Sequence, residues 1–217
     1  MLIAIIGAGN VGGALGKGWA RAGHAVTYGV PDPSTARYRA ATKAAGGASV
    51  LAVPRAVHDA DAIVLAVPFD AVGDALAAAG DLSGRLLVDV TNPLRMGAAG
   101  LELSIGFDRS GAEHVASLAP GAAVFKTLNQ VGFEVMANAA GYAAPPVMFV
   151  AGDDEARKPV VMGLVADLGF DAVDAGALRA ARLLEPFGML WIHMAINRKT
   201  GRDKVFAYLA RGEGRAA

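Results

Sequence analysis

The amino-terminal segment joins an apolar strand directly to a glycine-rich turn and a helix. Leu2–Ile6 is continuously apolar, as in a buried parallel strand, and Gly7-Ala8-Gly9-Asn10-Val11-Gly12 follows at once. Apolar residues then recur at helical spacing as far as Gly23, and residues 24–28 are typical of a second strand. This order predicts a Rossmann-type, doubly wound α/β fold with a mostly parallel sheet.

The spacing of these glycines predicts a binding site for the diphosphate of a dinucleotide. Gly7 lets the strand turn sharply, Gly9 leaves room for a pyrophosphate, and Gly12 lets the helix pack against the strand. The helix N-terminus then offers unpaired N–H groups to the anion. Because the chain has 28 glycines among 217 residues, a glycine-rich turn without a nucleotide is the alternative. The flanking strand and helix favour the dinucleotide.

Composition excludes several other classes of protein. Lysine and arginine together number 20, as do aspartate and glutamate, so we expect no nucleic-acid partner. The chain has no cysteine, which excludes disulfides and thiolate metal sites. No uninterrupted apolar stretch reaches about 18 residues, and no basic segment precedes the first strand. We therefore expect neither a membrane span nor a signal peptide, and we predict a cytoplasmic protein.

Strands and helices alternate along the rest of the chain, as in a parallel sheet covered on both faces. Strands are predicted over residues 49–53, 62–67, 85–90, 122–127, 147–151 and 170–173. Helices are predicted over residues 36–45, 54–60, 70–79, 110–118 and 177–197, with a further helix beginning in the acidic segment 153–155. Residues 95–109 are predicted to be a loop, and Pro186 is expected to break or kink the last helix.

The segment 137–146, rich in glycine, alanine and proline, is the one indication of a domain boundary. It suggests a dinucleotide-binding domain over residues 1–135 and a smaller C-terminal lobe, α/β to helical, over residues 136–217. The polar tail, residues 198–217, is expected to pack loosely.

The end of the second strand bears on the choice between NAD and NADP. An NAD site usually has a carboxylate there for the ribose hydroxyl, whereas this chain has Val30-Pro31 and places Asp32 after the proline. The missing carboxylate favours NADP. Arg37 and Arg39 are the nearest candidates for the 2′-phosphate, although both are equally explained as solvated helix residues.

Motifs spread over nearly the whole chain resemble those of the NADP oxidoreductases that depend on the deazaflavin coenzyme F420. Their order and spacing, more than any single motif, carry the resemblance. Besides the glycine turn they are Ala22-Gly23-His24, Leu65-Ala66-Val67-Pro68-Phe69, Asp89-Val90-Thr91-Asn92-Pro93-Leu94, Val124-Phe125-Lys126-Thr127-Leu128-Asn129, Ala151-Gly152-Asp153-Asp154, Asp174-Ala175-Gly176 and Ala181-Arg182-Leu183-Leu184-Glu185-Pro186. The chain is also similar to the cytoplasmic part of membrane metalloreductases, which use a flavin.

The resemblance implies where NADP would be bound. Its contacts fall on the phosphate turn, on the segment after the fourth strand and near the nicotinamide: Ala8, Gly9, Asn10, Val11, Val67, Pro68, Ala71, Thr91, Asn92, Leu128 and Asn129. The family commonly has an arginine for the 2′-phosphate where this chain has Val30-Pro31. Arg37 would have to replace that arginine.

Hydride transfer between a nicotinamide and a deazaflavin or flavin ring requires that the protein orient two rings and exclude water. It requires no nucleophile or metal, so we assign no catalytic residue and expect no metal site. One alternative is an NAD(P)H-dependent reductase of a flavin, a ferric chelate or a small carbonyl compound, for which Lys126 is the best proton donor. Another is a non-enzymatic redox sensor that binds NADP(H).

A few polar side chains are candidates for contacts near the nicotinamide. Asn92 and Asn129 each follow a buried strand, so they could bind its carboxamide or ribose, or simply cap a turn. His114 is the histidine to test first, although a solvent-facing role is the simpler interpretation. His24 is expected to be a packing or surface residue, and His193 a core or interface residue.

The last predicted helix is apolar enough to suggest an interface. Its stripe includes Met189, Trp191 and Met194, and it favours a homodimer through the C-terminal helix, with an ordinary core as the alternative.

Overall fold

The structure is a computed structural model that describes residues 1–35, 38, 48–98 and 100–211. The strands are β1 (Leu2–Ile6), β2 (Ala25–Val30), β3 (Ser49–Ala52), β4 (Ala62–Leu65), β5 (Leu86–Asp89), β6 (Leu94–Gly97), β7 (Gly100–Leu103), β8 (Ala123–Lys126), β9 (Val147–Gly152) and β10 (Asp171–Asp174). The α-helices are α1 (Asn10–Arg21), α2 (Val53–Val57), α3 (Val72–Ala79), α4 (Gly111–Leu118), α5 (Phe133–Ala137), α6 (Lys158–Ala166) and α7 (Ala181–Ile192). Short 3₁₀ segments precede α3 and α7, and the π-helical segment His193–Asn197 continues α7.

The main sheet has eight strands in the order β10-β9-β8-β5-β4-β1-β2-β3. From β3 to β8 all neighbouring strands are parallel, which is the Rossmann order and confirms the predicted fold class. β9 then pairs with β8 in the antiparallel sense, and β10 runs parallel to β9. The same sheet therefore crosses residue 135, and the division into two domains stays a prediction.

Two hydrophobic cores cover the two faces of the sheet. Ile3 and Ile5 of β1 belong to the core that includes Leu15 and Trp19 of α1. The intervening Ala4 and Ile6 belong to the other core, beneath α2, α3 and α4. This alternation is what a parallel strand buried on both faces requires.

The prediction of a loop over residues 95–109 was wrong for residues 95–97 and 100–103, whereas residues 104–109 are irregular, as predicted. Leu94–Gly97 and Gly100–Leu103 form an antiparallel hairpin outside the main sheet. The Arg95 and Glu102 side chains pair across it at 2.9 Å, but both are largely exposed. Apolar and polar residues do alternate in these two strands, but each strand has only four residues and none of them is buried. An alternation this short does not distinguish a strand from a loop.

Two predictions about helices also differ from the structure, the second in that the helix is not broken. The acidic segment 153–155 is a turn, and α6 begins at Lys158, because the Asp154 carboxylate accepts a hydrogen bond from the Arg157 N–H at 3.0 Å. Pro186 lies inside α7, which runs unbroken from Ala181 to Ile192. Burial of residues such as Leu184 and Trp191 along α7 offsets the one helical hydrogen bond that proline cannot make.

Most of the described residues 198–211 of the tail are exposed, which agrees with the expected loose packing, but specific contacts hold the middle of the tail. The Phe206 carbonyl accepts a hydrogen bond from the Val147 N–H at 2.9 Å, and the Trp191 indole donates to the Lys204 carbonyl at 2.7 Å. The Phe206 and Phe187 rings lie 4.7 Å apart. These contacts fasten the tail to β9 and α7.

Among the described residues, none of the helices has both the length and the apolar character that a membrane crossing needs. The predicted cytoplasmic location stays a prediction.

Helix α1 lies unusually close to the sheet because it has glycine where it crosses β2. A Cβ on Gly16 would overlap the Tyr28 hydroxyl. Tyr28 is fully buried, and its hydroxyl has no hydrogen-bond partner among the described residues. Burial raises the pKa of Tyr28 to about 12. The tyrosine therefore contributes apolar packing at the expense of an unsatisfied hydroxyl.

Replacing Tyr28 with phenylalanine should raise the free energy of unfolding by about 1 kcal/mol at neutral pH, because it removes that hydroxyl. The Tyr28 pKa is about 12 in the folded protein against 10.0 for an ordinary tyrosine. The unfolded chain therefore ionises first, and the wild-type protein loses stability as the pH rises from the lower value to the higher one. The advantage of Tyr28→Phe should widen over that interval in urea denaturation curves.

Tyr142→Phe is the matched control, because the Tyr142 hydroxyl donates to the Asp203 carbonyl at 2.9 Å. That variant should be less stable than the wild type. A Tyr28→Phe protein less stable than the wild type at neutral pH would contradict the interpretation.

Candidate functional site

The glycine turn has the geometry that its sequence predicts. Gly7 has φ +109°, and a Cβ there would overlap the Ala66 carbonyl oxygen. A Cβ on Gly12 would overlap the Gly7 carbonyl oxygen, so the start of α1 lies directly against the turn. Gly9 differs, because a Cβ there would meet nothing within 4 Å. Gly7 and Gly12 are thus required by the fold, whereas Gly9 faces open space.

The N-terminus of α1 is open to an anion. Gly9 is its N-cap and supplies no side-chain hydrogen bond, and the first turn contains no acidic residue. The first helical bond runs from the Gly13 N–H to the Gly9 carbonyl at 2.8 Å, so the N–H groups of residues 10–12 precede it. Asn10 is exposed, and Ala8 and Val11 are half-buried. Such a helix end fits a phosphate group.

The end of β2 differs from the usual NAD site. Val30 is fully buried, and Asp32 lies beyond it in an exposed turn. The Asp32 carboxylate accepts hydrogen bonds from the Ser34 hydroxyl at 2.7 Å and the Ser34 N–H at 2.9 Å, which hold its pKa below the usual value. Arg37, Arg39 and most of the predicted helix 36–45 lie outside the described residues. The arginine expected at the 2′-phosphate stays a prediction.

The segment after β4 lies beside the phosphate turn. A Cβ on Gly7 would be 3.1 Å from Val67 Cγ1. Pro68 is exposed, and its carbonyl accepts a hydrogen bond from the Ala71 N–H at 3.0 Å. Val67 and Ala71 are half-buried. These three predicted contact residues therefore share the carboxyl edge of the sheet with the glycine turn.

Asn92 and Asn129 lie together after β5 and β8. The Asn92 amide donates to the Asn129 carbonyl at 3.0 Å, and the Asn129 amide donates to Asn92 Oδ1 at 3.1 Å. Asn129 also donates to the Leu184 carbonyl and accepts from Gln130, so its side chain is occupied within the protein. Asn92 is half-buried and has one amide N–H that these bonds do not use. Of the pair, Asn92 is better placed to contact a ligand through its side chain.

The backbone is tightly constrained where β5 and β8 continue into the loops that follow them. Leu128 is fully buried and has φ +56°, a left-handed conformation that a leucine seldom adopts. Strain of this kind persists only where the surroundings enforce it, and it is concentrated at functional sites. Thr91 is buried, and both its N–H and its hydroxyl donate to Asp89 Oδ1, at 2.9 and 2.7 Å.

A buried ion cluster lies under this end of the site. Lys126 Nζ is 3.0 Å from Asp89 Oδ2 and 3.4 Å from Glu185 Oε1, and all three side chains are inaccessible to solvent or nearly so. Lys126 was the candidate proton donor, but its burial between two carboxylates leaves it no access to a substrate. Sequence reasoning missed Asp89 and Glu185. The sequence signal that could have identified Asp89 was a carboxylate at the end of an apolar strand. For Glu185 it was a carboxylate within an apolar helical stripe.

Helices α4 and α7 are joined by a second, more exposed ion pair. The Arg182 guanidinium donates to both Glu113 carboxylate oxygens, at 2.8 and 2.6 Å. Hydrogen bonding from Arg182 is the main cause that lowers the pKa of Glu113 to about 2. Glu113 also completes a capping box with Ser110 at the start of α4. This ion pair therefore joins the two helices that flank the ion cluster.

The histidines lie in different surroundings. His24 pairs with Asp167 at 2.9 Å, and His58 pairs with its neighbour Asp59 at 2.7 Å on the surface. The His114 ring is 5.9 Å from the ring of Phe69, which follows Pro68 at the edge of the site. Within the part of the chain that the structure describes, no group of three or more His, Cys, Asp or Glu residues could hold a metal ion.

Comparison with known proteins supports the dinucleotide site. The family model for coenzyme F420-dependent NADP oxidoreductases matches residues 2–93. A candidate F420-dependent NADP-reductase from Arthrobacter sp. FB24 has a crystal structure with a TM-score of 0.85 and 29% identity, covering 93% of this chain and 96% of that one. A hypothetical protein from Sinorhizobium meliloti has a TM-score of 0.74 and 30% identity, covering 83% of this chain and 87% of that one.

A curated relative is similar over a comparable stretch. Metalloreductase STEAP3 of Rattus norvegicus is 27% identical over 183 residues, which are 84% of this chain and 35% of the metalloreductase. The chain thus spans about a third of the length of that relative.

The matched residues 2–93 include the glycine turn, the segment after β4, and Asn92. The structural likeness to the Arthrobacter protein extends over nearly the whole chain. The protein therefore has a Rossmann-type fold and belongs to the family of coenzyme F420-dependent NADP oxidoreductases.

Proposed function

We propose that this protein transfers a hydride between NADP(H) and a deazaflavin coenzyme of the F420 type. The observation that carries the proposal is the combination of an open, uncapped α1 N-terminus with a nicotinamide end whose one candidate proton donor is sealed in ion pairs. The first feature suits a dinucleotide diphosphate. The second favours a hydride acceptor that needs no proton from a side chain of the protein.

The residues on the carboxyl edge of the sheet fit NADP(H) from end to end. The diphosphate would lie at the glycine turn, against the N–H groups of residues 10–12 and above Gly9. Val67, Pro68 and Ala71 would line the middle of the dinucleotide, and Asn92 would bind the ribose or carboxamide of the nicotinamide.

Other predicted site residues would contribute less directly. Thr91, Leu128 and Asn129 are buried and would shape the backbone around the nicotinamide. Val30 would border the adenosine, with Arg37 as the proposed 2′-phosphate ligand.

The surroundings of Lys126 bear on the chemistry of the acceptor. NADPH, when bound, supplies a hydride, and a deazaflavin ring accepts that hydride while the accompanying proton comes from solvent. A carbonyl compound would need a proton donor beside the nicotinamide. Lys126 has no exposed surface and contacts two carboxylates, so it cannot donate to such a substrate. A deazaflavin or a flavin therefore fits better than a carbonyl compound.

Gly9→Ala tests the phosphate site without disturbing the fold. Gly9 has φ −79° and ψ −165°, which alanine tolerates, and a Cβ there meets no protein atom within 4 Å. The free energy of unfolding should fall by less than about 1 kcal/mol. The added methyl would occupy the space proposed for the pyrophosphate, so the NADPH dissociation constant in calorimetric titrations should rise by about tenfold or more.

Gly163→Ala on the exposed side of α6 is the matched control, because its Cβ also meets nothing within 4 Å. This variant should be slightly more stable, as alanine favours the helix, and should bind NADPH like the wild type. Unchanged NADPH binding by Gly9→Ala would place the diphosphate elsewhere.

The hydride acceptor is tested by stopped-flow oxidation of NADPH with F420, with FMN and without an acceptor. We expect rapid oxidation with F420, slow oxidation with FMN and none without an acceptor. NADH should react more slowly than NADPH. Oxidation with a flavin, a ferric chelate or a carbonyl compound but not with F420 would assign the protein to the wider reductase class. Tight NADPH binding with every acceptor inert would instead indicate a redox sensor.

We also propose a homodimer through α7. Leu183, Leu190 and Met194 are 72%, 47% and 41% exposed, and their spacing places them along one side of the helix and its continuation. Trp191, part of the stripe that suggested the interface, is instead 4% exposed and belongs to the core. The exposed leucines and methionine are the surface that a second copy would cover.

Leu183→Glu should convert that dimer into a monomer, because it places two carboxylates in an apolar interface. Light scattering after size exclusion measures the mass directly. Leu118→Glu at the end of α4 is the control, since Leu118 is also exposed, at 42%, but is not part of α7. A wild-type protein that is monomeric at micromolar concentration would refute the interface.

A further inference from the structure

We propose that Lys126 is a positioning residue, which fixes the Thr91–Asn92 segment and thereby sets affinity for the nicotinamide half of the dinucleotide. The inference rests on the proposed binding of NADP(H) at the carboxyl edge of the sheet. It does not depend on which acceptor receives the hydride. Lys126 itself would contact neither the nicotinamide ring nor the ring of the acceptor, because its side chain is fully buried and donates to the Thr91 carbonyl.

Lys126 makes three polar contacts in a site closed to solvent. Its Nζ donates to Asp89 Oδ2 at 3.0 Å and to the Thr91 carbonyl, and it lies 3.4 Å from Glu185 Oε1. The side chains of Lys126 and Asp89 have no exposed surface, and that of Glu185 is 1% exposed. A buried ammonium that lost these partners would be strongly destabilised, so the lysine holds them in one arrangement.

The remaining negative charge of the cluster is met by the start of α4. Glu185 Oε2 accepts the Gly111 N–H at 2.8 Å, and Oε1 accepts the Ala112 N–H at 3.0 Å. The helix dipole favours a carboxylate at this position. Glu185 therefore links α7 and α4 to the lysine on β8, and every charge in the cluster has a partner within the protein.

The cluster acts on the site through Thr91. Its N–H and hydroxyl are held by Asp89, and its carbonyl is held by Lys126, so the peptide group that leads into Asn92 has little freedom to rotate. The Asn92 side chain is then fixed by Asn129. Gly188 of α7 lies against this pair, since a Cβ there would be 2.6 Å from the Asn129 carbonyl oxygen. Lys126 thus orients the one proposed nicotinamide ligand that retains a free N–H.

A second buried lysine allows a positioning role to be separated from a structural one. Lys158 has a side chain 2% exposed, pairs with Glu155 at 2.6 Å and Asp174 at 3.1 Å, and donates to the Gly176 carbonyl. It therefore has the same kinds of partner as Lys126. Because β9 reverses the sheet direction, the end of β10 that contains Asp174 lies at the edge opposite the glycine turn.

The experiment compares Lys126→Met with Lys158→Met in three measurements: the free energy of unfolding, the dissociation constant of NADPH, and that of 2′,5′-ADP. The last ligand has the adenosine half of NADPH and lacks the nicotinamide. Both variants should be less stable than the wild type. Lys126→Met should raise the NADPH dissociation constant by about tenfold or more and change that of 2′,5′-ADP by less than about twofold. Lys158→Met should leave both constants within about twofold of the wild type.

Glu185→Gln provides the same test should Lys126→Met fail to fold, because it keeps the size of the side chain and one acceptor oxygen. It should show the same selective loss of NADPH affinity, to a smaller extent. The proposal is overturned if these variants bind NADPH as the wild type does, or if they lose affinity for NADPH and 2′,5′-ADP equally. A wild-type protein that binds NADPH but reduces no F420 would refute the proposed function and leave this test intact.

Discussion

The close approach of α1 to the parallel sheet is the constraint on which the site depends. A Cβ on Gly12 would overlap the Gly7 carbonyl, and one on Gly16 would overlap the Tyr28 hydroxyl. Without side chains at these points, the helix can start immediately above the end of β1. Its first N–H groups are then directed at the space over Gly9. The position of the helix, rather than any polar side chain, would create the proposed anion site.

The two ends of the proposed dinucleotide site are built in opposite ways. The phosphate end is open and is made from backbone, so it requires the absence of side chains. The nicotinamide end is closed from below by the buried cluster of Lys126, Asp89 and Glu185. Backbone N–H groups suit an anion that stays hydrated on one side, whereas a ring that must be oriented within a fraction of an ångström needs rigid support.

How far the sequence predicts the molecule depends on how local each feature is. The glycine turn and the alternation of strands and helices are encoded within short segments, and both were predicted. The β6–β7 hairpin was not, because its strands lack a buried apolar face. The ion cluster was missed because Asp89, Lys126 and Glu185 are far apart in the chain, and only the fold brings them together. The prediction for Arg37 stays untested because it lies outside the described residues.

The reversal of the sheet at β9 affects when the site becomes complete. The strands after β8 end at the opposite edge, and α7, from the last third of the chain, reaches the nicotinamide end through Glu185. A nascent chain therefore contains the glycine turn and the first five parallel strands long before α7, which supplies Glu185, has been synthesised. A dinucleotide that spans both ends would bind a fully synthesised molecule more tightly than a truncated one. The cofactor would thus stabilise finished chains selectively over incomplete ones.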